Sequence, residues 1–235
     1  MDGLGEPHMK TPTTNPVGLM KACGLFLLIG SALLIAGFLV HPAESPDAET
    51  ARATVASHAT MARASHQLLF AGLLAIAIAT PLGGFASVQL GAPPAAIAGA
   101  LIAGIGALVA LPLVAIEATV VPAAAEAGDA AAFEAWSALG SAFLPGFLLL
   151  ALGLGIHAFS EARTMTGAFR TISYAASGLA GVALVGWIGA YYAGIWSLNV
   201  LGIAILGVFA YTGFGSAMEL FGGGHTKPAA TPTSP

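Results

Sequence analysis

Five side chains in this chain of 235 residues have the type and spacing to do chemistry: His41, His58, His66, Glu117 and His157. Two imidazoles and a carboxylate form a recognised ligand set for zinc, iron or copper, and His41, His66 and Glu117 supply one. His58 is an additional metal candidate. It lies eight residues before His66, on a similar helical face but about 12 Å further along a straight helix. One ion could not bridge that pair. His157 is the candidate for holding a haem or pigment singly. No tight His-x-x-x-His or Glu-x-x-His motif is present, so convergence depends on how separate segments are arranged. The plainer alternative is that His41 closes a helix before Pro42 and His66 sits at headgroup level. His157 would then be an interface residue.

The segments that must position these groups are apolar. The chain is 57% hydrophobic and 8% charged, against roughly 25% charged residues in a soluble domain. Its 7 basic and 11 acidic residues cannot cover a water-facing surface, so lipid contact must replace the missing charge. The formal net charge of −4 lacks the basic footprint of a nucleic-acid partner. The lone cysteine, Cys23, excludes an intramolecular disulfide framework.

Six apolar runs are long enough to cross ~30 Å of hydrocarbon as helices: roughly 18–40, 65–89, 94–121, 136–159, 171–192 and 197–221. They are continuous rather than alternating, and Ala, Leu and Gly dominate them, which argues against strands. The first run exceeds the usual length of a signal-peptide core and is followed by His41-Pro42-Ala43-Glu44, so it reads as an uncleaved span. Residues 1–16 and 222–235 read as mobile polar tails.

The fold class expected is therefore an all-α integral membrane protein, a six-helix transmembrane bundle. Its orientation is expected to be N-in and C-in. Lys10, Lys21, Arg163, Arg170 and Lys227 would then lie inside, against Arg52 and Arg63 outside. The longest soluble piece, 41–64, becomes an outer excursion. Within it Ser45 reads as a helix N-cap, Pro46 as the first helical position and Asp47 as an acid in the first turn, and the helix either lies on the surface or runs on into the second span. Tyr191, Tyr192 and Trp196 read as an interface belt around a short outer turn. Pro81, Pro112 and Pro145 fall inside spans and predict kinks.

Small residues mark packing faces where lipid supplies no hydrophobic drive. Gly99, Ala103, Gly106, Ala110 and Glu117 share one stripe of the third span. Ala142, Gly146, Gly153 and His157 share one of the fourth. Asn199 and Thr212 are placed to bond across helices from the sixth. The stripe turns Glu117 towards protein, and an ionisable group within a span is a functional hypothesis by default. The topology brings His41, His66 and Glu117 to one outer level.

Several activities are excluded. No phosphate-binding loop and no Gly-x-Ser-x-Gly elbow occurs. No lysine lies mid-span for a Schiff base, and no span is rich in arginine. Three functions remain, with enzymatic activity undecided. The first is an accessory or structural subunit of a larger membrane assembly, packed against protein partners or a second copy. The second is a membrane protein binding a transition metal, haem or small ligand at an outer His/Glu site. The third is a small solute or proton-coupled transporter. The Ala- and Gly-rich composition points to a bacterial cytoplasmic membrane.

Overall fold

The computed structural model describes residues 15–42 and 45–221, and among them every regular element is helical. The polar tails up to Thr14 and from Gly222, with Lys10 and Lys227, and the connection residue Glu44 lie outside the described residues. Six helical stretches are long and apolar enough to cross a membrane. Hydrocarbon offers no hydrogen-bond partners, and a helix satisfies its own backbone.

Helix α1 (Pro16–Leu39) starts on a local signal. The Asn15 side chain accepts from the N–H groups of Val17 and Gly18 at 3.1 and 3.3 Å, and Pro16 takes the first helical position. It ends before His41-Pro42, because proline disfavours helical geometry in the residue preceding it. Helix α2 (Ala48–Ser57) is capped by Asp47 rather than by Ser45, and Pro46 precedes it, because the Asp47 carboxylate accepts from the Thr50 N–H at 2.7 Å. His58 then interrupts the helix, and α3 (Ala59–Gln89) begins as a separate element.

Helix α4 (Pro94–Glu126) follows a tight turn at Gly91, whose φ of +70° suits a residue without a Cβ. At 1.5 Å per residue, the 31 and 33 residues of α3 and α4 reach about 46 and 50 Å, well beyond ~30 Å of hydrocarbon. Both helices therefore have projecting ends. A small second core forms on that projection. Val121, Ala124 and Ala125 pack with Phe133 of α5 (Ala130–Ser141) and with Ala51, Val55 and Ala56 of α2.

The expected fourth crossing at 136–159 is two helices, α5 and α6 (Pro145–Thr164), separated at Ala142–Leu144. Pro145 therefore does not kink a span. It occupies the first position of α6, where its missing N–H costs no hydrogen bond. Pro81 and Pro112, together with Pro122, do lie inside helices. Helix α7 (Gly167–Trp187) widens into a π-helical turn at Ile188–Tyr192. The last crossing opens as a 3-10 segment, Trp196–Ala204, and continues as α8 (Ile205–Phe221).

The six crossings close into a ring. Each packs on the next in chain order, and α8 returns to α1. Leu34, Leu73, Ile76, Ala107, Leu150 and Phe209 fill its centre with no solvent exposure. Phe147 stands edge-on to both Phe38 and Trp187, with centroids 6.1 and 6.0 Å away. The two small-residue stripes meet, backbone on backbone. A Cβ at Gly106 would fall 2.2 Å from the Leu150 nitrogen, one at Gly146 2.3 Å from the Ala110 nitrogen, and one at Gly153 2.2 Å from the Ala103 nitrogen. Only glycine permits that approach of α4 to α6.

Candidate functional site

The close approach of α1 to α3 positions the first pair of groups. At Gly37 a Cβ would lie 2.8 Å from the Leu69 side chain and 3.0 Å from the Ser65 carbonyl. Gly72 and Gly30 repeat this contact further along the same two helices. The last turn of α1 thus lies almost against the first turns of α3. His41 leaves the end of α1 and meets His66 there.

The two Nε2 atoms stand 3.2 Å apart, and the rings meet edge to face with centroids 4.8 Å apart. Each ring has its other nitrogen engaged by a main-chain carbonyl. His66 Nδ1 lies 2.8 Å from the oxygen of Ala62, one turn back on α3, and His41 Nδ1 lies 2.7 Å from that of Pro42. A carbonyl only accepts, so each Nδ1 carries the hydrogen and donates it. In the neutral tautomers both Nε2 atoms then carry bare lone pairs only 3.2 Å apart. His66 is 8% exposed, so bulk water has little access to separate them. A proton or a metal ion between the nitrogens relieves that opposition. Histidines that ligate metals commonly donate their other N–H to a backbone carbonyl or carboxylate in this way.

The remaining candidates lie elsewhere. Glu117 is half-buried on α4 with its carboxylate beside Gly140 of α5, 3.4 Å from where a Cβ there would stand. It does not complete a set with His41 and His66, for among the described residues no three His, Cys, Asp or Glu side chains converge as a metal would require. His58 is exposed, and its Nδ1 is engaged by the Thr54 carbonyl at 3.1 Å and the Ser57 hydroxyl at 2.9 Å. At the same end of the bundle, Arg63 of α3 makes a two-pronged ion pair with Glu126 of α4. This pair ties the projecting ends of those helices one turn before His66.

His157 sits towards the opposite end, in a group that single-residue reasoning missed. Its Nδ1 lies 3.1 Å from the Ala96 carbonyl of α4, and its Nε2 lies 3.5 Å from Glu161 Oε1, one turn further along α6. The Tyr211 hydroxyl of α8 donates to the other Glu161 oxygen, and Ser173 Oγ of α7 lies 2.8 Å from that hydroxyl. Glu219 of α8 is close enough to interact electrostatically with both His157 and Glu161. The readable signal was the His-x-x-x-Glu spacing, which places both groups on one helical face. Tyr211, Ser173 and Glu219 gave no such signal, because they arrive from two other helices. Of the two ring nitrogens of His157, Nδ1 is hydrogen-bonded to Ala96 and Nε2 faces the Glu161 carboxylate.

No family model matches the chain, and searches of curated proteins and of solved structures return no match.

Proposed function

We propose that this polytopic membrane protein binds a transition-metal ion through His41 and His66. The observation that carries the reading is the pair of Nε2 atoms 3.2 Å apart, each on a ring whose Nδ1 is engaged by a main-chain carbonyl. An ion about 2.0–2.1 Å from each nitrogen at this 3.2 Å separation would subtend an angle of roughly 100°, near the tetrahedral value. The two rings are in direct contact, which leaves no slot for a haem macrocycle between them. The bent geometry favours a free ion such as zinc or copper. Two protein ligands leave coordination positions for water or an exogenous group, which suits reversible binding.

The orientation we propose is N-in and C-in, in a bacterial cytoplasmic membrane. The histidine pair, with α2 above it, would then face outward. Lys21, Arg163 and Arg170 at the opposite end, against Arg52 and Arg63 at the histidine end, support this. The accessory-subunit reading rests on apolar flanks alone, which lipid covers as well as protein would. The permease reading asks for a polar route, yet Leu34 on α1 and Leu73 and Ile76 on α3 fill the stretch beyond the histidines without exposure. The histidine pair is what calls for a ligand, and it decides our order of readings.

The test is titration of metal-stripped protein with Co(II) and Zn(II), followed by calorimetry and by the ligand-field spectrum of cobalt. One ion per chain is expected, with affinity falling at least about 100-fold in both His41→Ala and His66→Ala, beyond the usual effect of losing an outer-shell partner. Binding that is absent, or indifferent to both substitutions, would refute the reading. Recovery of a stoichiometric partner in mild detergent without metal binding would restore the accessory role.

A further inference from the structure

The group around His157 has a donor count that does not balance. The imidazole faces two acceptors, the Ala96 carbonyl at 3.1 Å and Glu161 Oε1 at 3.5 Å. A neutral ring has one N–H, so it serves one acceptor and turns a bare nitrogen to the other. Tyr211 cannot make up the deficit, because its only hydroxyl hydrogen already goes to Glu161 Oε2. Ser173 is engaged by Tyr211 at 2.8 Å and by the Phe169 carbonyl at 2.9 Å. A neutral imidazole that donates to Ala96 beside an ionised Glu161 leaves the Nε2–Oε1 contact without a hydrogen, and one further proton on either group supplies it.

We infer that His157 and Glu161 form a binding site for one exchangeable proton, held between Nε2 and Oε1, at the end of the bundle opposite the histidine pair. The proton is exchanged as either imidazolium beside carboxylate or imidazole beside carboxylic acid, and its release leaves two facing acceptors. The side chains of His157 and Glu161 are 36% and 26% exposed, and Glu161 lies in the last turn of α6. The site therefore lies at a helix end rather than among the residues of the apolar centre. Every helix packed around it contributes a group: α4 the Ala96 carbonyl, α7 Ser173, and α8 Tyr211 and Glu219. Cys23 of α1 lies near Glu219. The site joins four helices through one proton, so its occupancy is coupled to how α6 is held against α4 and α8. This inference is independent of the metal reading, since it shares no residue with it.

The test is pH-difference infrared spectroscopy of the whole protein in lipid nanodiscs, with isotope-labelled histidine, over about pH 4 to 9. The expected result is a carboxyl and an imidazole signal that change together with one midpoint. Glu161→Gln should remove the carboxyl signal and move the imidazole midpoint by at least about one pH unit, a tenfold change in proton affinity. Tyr211→Phe should move the shared midpoint while keeping both signals. An imidazole midpoint unchanged in Glu161→Gln, or a pair that does not titrate across the range, would overturn the inference. Should the variants fail to fold, nitrogen NMR of labelled wild-type protein decides. A His157 that stays singly protonated throughout, beside a permanently ionised carboxylate, has the same adverse meaning.

Discussion

His41 and His66 are 25 residues apart in the chain, yet their Nε2 atoms lie 3.2 Å apart. The contact depends on Gly37, one turn before His41, where α1 presses on the Ser65 carbonyl and the Leu69 side chain. A leucine at position 37 retains both histidines but must push the helices apart. The prediction is that Gly37→Leu lowers cobalt affinity about 10–100-fold, the range seen when support around a metal site is lost. Full affinity in a folded Gly37→Leu protein would show that helix proximity does not set the site.

The α4–α6 contact makes a sharper prediction about stability. Gly106→Ala places a Cβ 2.2 Å from the backbone nitrogen of Leu150, and backbone cannot rotate away. A loss of about 1–3 kcal/mol is expected, measured by reversible unfolding in detergent. Gly178→Ala is the control, because nothing lies within 4 Å of its added carbon. It should stay within about 0.5 kcal/mol of wild type.

Ser31 is 1% exposed, and its hydroxyl has no hydrogen-bond partner among the described residues. An unsatisfied buried hydroxyl is costly, so removing it relieves a penalty. Ser31→Ala is expected to be neutral or stabilising by up to about 1 kcal/mol, read as a rise in the thermal midpoint. A clear fall would mean that the hydroxyl has a ligand of its own.

Acid should loosen α2 before the rest. Hydrogen bonding from Thr50, by its side chain and then its backbone N–H, holds the Asp47 carboxyl below the usual carboxylate range. A group depressed in the folded state contributes stability above its unfolded pKa, and that contribution fades as pH falls through the folded value. Amide exchange in Ala48–Ser57 should accelerate below about pH 4 while the six crossings stay protected. Asp47→Ala should show the same acceleration already at neutral pH.

Much of the architecture follows from local rules. The helix starts themselves shift by a few residues, because Asn15 rather than the end of the polar tail, and Asp47 rather than Ser45, satisfies the first N–H groups. Apolar length specifies a crossing because hydrocarbon forbids unpaired backbone, and the glycine stripes announce a face because only small residues allow helices to touch. Pro145 shows the limit of such reading. A proline within an apolar run signals either a kink or a new helix start, and the packing of α5 across the projecting end of α4 selects the start.

The sequence alone determined that this chain makes six apolar helices and that its few polar residues must lie at their ends or on packed faces. The reason is solvation, which acts residue by residue. Only the tertiary structure decided which polar groups meet. His41 faces His66 because glycines bring α1 onto α3, and Glu117 is left beside α5. His157 is completed by Glu161 on its own helix, but also by Tyr211, Ser173 and Glu219 from two others. Such meetings depend on angstrom-scale helix separation and rotation, which are set by the sum of many side-chain contacts and belong to no single segment of the chain.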